Sequence, residues 1–156
     1  MSFIDGAYTI TYKASSVGQL QDGARLSHQH FKRLITGDNF AESPQDAIFR
    51  GGAQFSDWTM LEYNAAAALS AFYPFGSAWL TMDAVIGVLD SSKYGSLVLT
   101  AVAGTPAAAS PATVTLPRSI IMEGFDVALL MAPDLRTVPM RMRHYVGSGG
   151  VFGTLT

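Results

Sequence analysis

His28 and His30 are the first residues in this chain whose type and spacing could do chemistry. On a strand, residues two apart share a face. Such a pair can open a metal site if His144 or Asp126 supplies a third ligand from a distant strand. Nothing in the sequence draws those groups together, so the pair is read as two exposed or interface histidines and no metal is assigned. The carboxylates scattered from Asp38 to Asp134 show no spacing that sets two side by side for acid–base work. There is no Gly-x-Ser-x-Gly elbow. Gly51-Gly52 and Gly147-Ser148-Gly149-Gly150 lack the lysine and the following helix of a phosphate loop. Arg136, Arg141 and Arg143 form a small basic cluster, better suited to ion pairing at an interface than to holding a phosphate. With no cysteine, thiolate chemistry and disulfides are excluded. The expectation is a protein without a catalytic constellation or cofactor, and not an enzyme.

The elements that would carry these residues are mostly strands. Ala7 to Tyr12 is rich in β-branched and aromatic residues. A short strand follows over Val17 to Leu20, and Asp22-Gly23 then reads as a hairpin turn, since a type I′ turn wants positive φ at both central residues. Arg25 to about Ile35 forms a long strand that is polar on both faces. The loop Thr36 to Pro44 is longer than a hairpin needs and carries Phe40 near its middle. Ala47 to Phe49 resumes the strand, Gly51-Gly52 permits a bend or bulge, and Gln54 to Tyr63 is long again. Asn64 caps one short helix that Pro74 ends. Further strands are expected at Ser96–Ala103, Thr113–Leu116, Ser119–Met122, Asp126–Met131 and Val138–Val146. The predicted fold is mostly β, a β-sandwich or partly closed barrel with one short α-helix. Residues 1–146 form a single β domain, and residues 147–156 form a flexible C-terminal arm.

Composition says what such a domain is for. Charged residues make up 14% of the chain, against roughly 25% in typical soluble domains. The apolar share of 49% is ordinary, so the depletion falls on charged surface, as in a subunit largely covered by neighbours. A net charge of −2 leaves no basic footprint for gripping nucleic acid. Met1 to Gly6 carries no targeting pattern. The uncharged stretches Tyr63–Met82 and Tyr94–Pro117 are broken by proline and glycine, so no membrane partner is expected.

Asp22-Gly23-Ala24-Arg25-Leu26, Ile35-Thr36-Gly37-Asp38-Asn39-Phe40, Gly51-Gly52 and Leu61-Glu62-Tyr63-Asn64-Ala65-Ala66 together resemble the structural proteins of tailed-phage virions. The run Leu99 to Ala109 and the segment Leu135 to Arg141 add to the likeness. Two long strands, a protruding loop and one helix are similar to tail-tube proteins. That resemblance implies stacked six-membered rings lining a channel through which DNA passes without being bound, in the tail of a virion assembled in the host cytoplasm. It implies as partners other copies of the chain and other virion tail proteins. A head-decoration, tail-terminator or connector protein would share the pattern, and a small hydrolase or metal-binding enzyme is the remaining class. Asp38, Asn39, Phe40 and Glu42 are the expected contacts to the next ring, because an apolar loop tip is costly unless covered. Val151, Phe152 and Leu155 are the expected contacts of the C-terminal arm, loose in an isolated subunit and added to a neighbour as a strand.

Overall fold

The computed structural model describes residues 8–17, 20–36, 44–60, 71–76, 81–82, 86–102, 113–124 and 137–156. Their strands are β1 (Tyr8–Tyr12), β2 (Ser15–Ser16), β3 (Leu20–Thr36), β4 (Pro44–Met60), β5 (Gly95–Ala101), β6 (Thr113–Ile121), β7 (Val138–His144) and β8 (Thr154–Leu155). They form one antiparallel sheet in the order β2-β1-β5-β6-β7-β4-β3, with β8 beside β6. The chain is therefore mostly β, as expected, and among the described residues the sheet does not close into a barrel. Of the expected helix, most lies outside the described residues. Ala71 and Phe72, just before Pro74, are helical.

Local chemistry explains where the strands bend. The tight turn falls at Lys13-Ala14, with φ of 49° and 64°, rather than at Asp22-Gly23. Asp22 and Gly23 do take positive φ, 57° and 78°. Yet Gln21 pairs with Thr59 and Ala24 with Trp58, so the two residues bulge out of a continuous β3. The expected hairpin is corrected to a bulge, because β4 runs past both sides of the dipeptide and holds the strand straight. The expected strand Val17–Leu20 is likewise divided: Val17 follows β2, and Leu20 already belongs to β3. Gly51-Gly52 lies at a bulge, as expected. Phe31 pairs with Gly51 and Lys32 with Phe49, leaving Arg50 as the extra residue of a bulge inside β4.

Pro117 is similarly absorbed, and the two expected strands around it are one. On one side β6 pairs with β5 from Thr113 to Ser119; on the other, β8 pairs before Pro117 and β7 takes over at Ser119 to Ile121. Proline has no N–H to give a ladder, which suits a residue at the point where a strand changes partner.

One face of the sheet carries the core. Ile10, Tyr12, Trp58, Met60, Leu97, Leu99, Val114, Leu116, Val138, Met140 and Met142 form a single buried cluster with Val17 and Phe72. Phe72 stacks on Tyr12 at 5.0 Å and meets Trp58 at 6.2 Å. It thereby joins β1 to β4, which β5, β6 and β7 separate in the sheet. The sheet is bent around this core.

Candidate assembly surface

Beyond the core, β3 and β4 run on with no third strand among the described residues. β7 pairs with β4 from Met60 back to Gln54 and ends at His144. β3 and β4 stay paired with each other as far as Thr36 and Pro44. The result is a two-stranded arm, residues 29–36 and 44–53, roughly 25 Å long at the usual rise per residue. Every residue from His28 to Thr36 is exposed, as are Ile48, Phe49 and Arg50.

The register assigns side chains to the two faces of this arm. One face carries His28, His30, Lys32 and Leu34 together with Phe49 and Ala47; the other carries Gln29, Phe31, Arg33 and Ile35 with Ile48 and Asp46. Large apolar side chains stand in water on both faces: Phe31 is 49% exposed, Leu34 60%, Ile48 54% and Phe49 62%. Lys32, Arg33 and Arg50 give the arm a cationic excess over Asp46. The outer edges of the arm have no strand beside them among the described residues, so a row of backbone N–H and C=O groups is open on each side. Asp38, Asn39, Phe40 and Glu42, expected at the tip of this arm, lie outside the described residues.

His28 and His30 sit together on the arm, ring centroids 4.6 Å apart, with Phe49 near His30 at 6.4 Å and Phe152 edge-on to His28 at 5.7 Å. His144 does not join them. It is 2% exposed and bridges strands inside the sheet: Nδ1 lies 2.8 Å from Ser119 Oγ, and Nε2 lies 2.8 Å from Ser56 Oγ. Ser119 Oγ gives its one proton to Leu116 O at 2.8 Å. Nδ1 must therefore donate to Ser119, and Ser56 must donate to Nε2. Burial pushes the His144 pKa down to about 4. A protonated ring would make Nε2 a donor, so the Ser56 hydroxyl would have to turn and accept from it.

A serine donating to an imidazole is the geometry of an activated nucleophile. Here Ser56 is 0% exposed, and a serine, not a carboxylate, orients the far side of the ring. The trio works as a clamp tying β4, β6 and β7 together. Among the described residues no group of three or more His, Asp or Glu side chains is placed to hold a metal ion.

The arginines expected at an interface are paired at home. Arg141 lies 3.2 Å from Asp57, Arg143 bonds Glu123, and both guanidinium groups sit over the Phe55 ring, at 5.4 and 5.0 Å. Arg136 lies outside the described residues. A second cluster, absent from the sequence reading, surrounds a surface pocket. Tyr145 donates to Asp90 Oδ2 at 2.6 Å, Tyr94 lies 6.1 Å from Tyr145, and Arg118 lies 6.0 Å from Tyr94. Burial and the Asp90 carboxylate push Tyr145 up to about 12, so its hydroxyl remains a donor that pins the turn at Asp90–Ser92 to the end of β7.

Val151, Phe152 and Leu155 lie against their own subunit. Thr154–Leu155 is β8, paired with β6, while Val151 is 51% and Leu155 68% exposed. No helix among the described residues is long and apolar enough to cross a membrane. No protein-family model and no curated protein matches the chain, so its reading rests on the arm, the clamp and the C-terminal strand themselves.

Proposed function

We propose that this chain is a self-assembling structural subunit of a tailed-phage virion, forming the stacked hexameric rings of a tail tube through which DNA passes. The observation that carries the reading is the arm: paired strands with open edges and apolar side chains exposed on both faces. A monomer gains nothing from holding Phe31, Leu34, Ile48 and Phe49 in water, whereas a neighbouring copy that covers them gains roughly 1.5–3 kcal/mol for each one fully buried. The open edge of β3 suits continuation of the sheet into a second copy. The low charged fraction of the chain fits a subunit with much covered surface. In this reading Lys32, Arg33 and Arg50 meet carboxylates of neighbours rather than lining the channel, which keeps the lumen from gripping DNA. The subunit acts in the virion tail after assembly in the host cytoplasm, with other tail proteins as partners and no membrane.

Electron microscopy of the purified protein over a range of concentrations tests the proposal. Rings that stack into tubes are the expected result. Trimers or unstacked partial rings would transfer the protein to a head-decoration, terminator or connector role. Monodisperse monomers at every concentration would overturn self-assembly altogether.

A further inference from the structure

The C-terminal segment is held to its own subunit mainly by backbone. Thr113 and Thr156 exchange both hydrogen bonds, N to O at 2.8 and 2.9 Å, and Val114 pairs with Leu155 and Thr115 with Thr154. Of its side chains, Phe152 is half-buried against His28, while Val151, Thr154 and Leu155 are exposed. The fit is nonetheless specific to this segment. A Cβ on Gly153 would stand 2.3 Å from Thr115 O, so the close approach to β6 needs a glycine there. The edge of β6 that receives β8 is free because β7 pairs further along, at Ser119 to Ile121.

The return from β7 to β8 is a glycine hinge. Gly149 and Gly150 have φ of 80° and 78°, and Gly147 N donates to Val151 O at 2.7 Å to close the turn. If the turn opens, the nine residues 145–153 can span up to roughly 30 Å, enough to reach a neighbouring subunit. Exchange of an identical element between copies keeps every contact of that element and alters only the hinge.

We infer that β8 is an exchangeable strand, and that in the assembled protein residues 151–156 of one copy pair with β6 of a second copy in the register seen here within one chain. The occupant is a second copy because the bonds, the register and the glycine fit are already those of this sequence. The inference rests on the self-assembly reading and supplies one of its joints.

The chain has no cysteine, so introduced thiols report without background. Because Thr113 and Thr156 exchange hydrogen bonds, Val114 and Leu155 are the next, non-bonded pair, whose Cα atoms lie about 4.5 Å apart and can carry a disulfide. Val114→Cys and Leu155→Cys are made as separate proteins, mixed, assembled and oxidised, so that their bond can form only between chains. A disulfide-linked dimer on a non-reducing denaturing gel is the expected result. In addition, the double variant, oxidised while dilute and monomeric, should lose assembly and regain it on reduction. Thr115→Cys with Thr154→Cys repeats both tests away from the core should the Val114 variant fold poorly. Assembly without the interchain bond, or full assembly of the locked monomer, overturns strand exchange and leaves self-assembly standing. Wild-type protein that never assembles overturns both.

Discussion

The two ends of β3 and β4 are made of similar residues and meet opposite fates. Where β7 lies alongside, from Gln54 to Met60, Phe55, Ser56, Trp58 and Met60 are buried and the His144 clamp ties three strands together. Past His144, where β7 stops, Phe49, Ile48, Phe31 and Leu34 stand exposed on the same two strands. The side chains did not become more polar; the neighbouring strand ran out. Under the proposed function this apolar, two-sided ribbon, which has no third strand beside it among the described residues, is covered by a neighbouring copy.

The comparison is sharpened most by truncations on either side of the boundary. Met142→Ala, at a fully buried site, should cost about 2–5 kcal/mol in urea unfolding of the isolated subunit. Phe49→Ala on the arm should stay within about 0.5 kcal/mol in the same measurement while weakening assembly. Equal losses would dissolve the distinction between the two ends.

The clamp makes the paired end sensitive to acid. The folded pKa of His144 is depressed to about 4 while the unfolded value is the ordinary 6.5. Between those values the unfolded chain binds a proton that the folded one refuses, so stability falls as pH drops through that window. The full loss at the lower end is about 3 kcal/mol. His144→Gln should be less stable at neutral pH, and its unfolding should show a flatter slope between pH 6.5 and 4. An unchanged slope would mean that other groups set the acid response.

Gly23→Ala probes the bulge near the start of β3. No atom lies within 4 Å of the new Cβ and φ is +78°, so the cost is backbone strain alone, about 1–2 kcal/mol. Smallest of all on stability, within about 0.5 kcal/mol, should be the paired reversal Lys32→Glu and Arg33→Glu. That variant should nevertheless fail to assemble, as light scattering would read. Assembly at the wild-type level would remove the arm's cations from the contact.

The β class, the two long strands and their mixed faces were legible because alternation and β-branched runs survive in the sequence. The boundaries were less so. Asp22-Gly23 and Pro117 are strong turn or break signals read locally, but each is carried within a strand by a partner far along the chain, as a bulge or as a change of partner, whereas the bulge at Gly51-Gly52 was legible. Conversely, Lys13-Ala14 turns without a glycine. The clamp has a signal in the sequence: His144 is in phase with Met140 and Met142, which are buried, and a histidine in step with a core row is placed in the core. Its serine partners come from distant strands, and no local pattern announces them. The C-terminal glycines read as a loose arm, whereas the segment makes a strand with its own β6.

Hydrogen exchange, followed amide by amide in isolated and assembled protein, tests the boundary most directly. Outer-edge amides in residues 29–36 and 44–53 should exchange fast in the isolated subunit and become strongly protected on assembly. Amides of residues 54–60 and 138–144 should exchange slowly in both states. Arm amides that remain as fast in the assembled protein, or that are already as slow as the core in the isolated one, would contradict the assignment of the arm as the assembly surface.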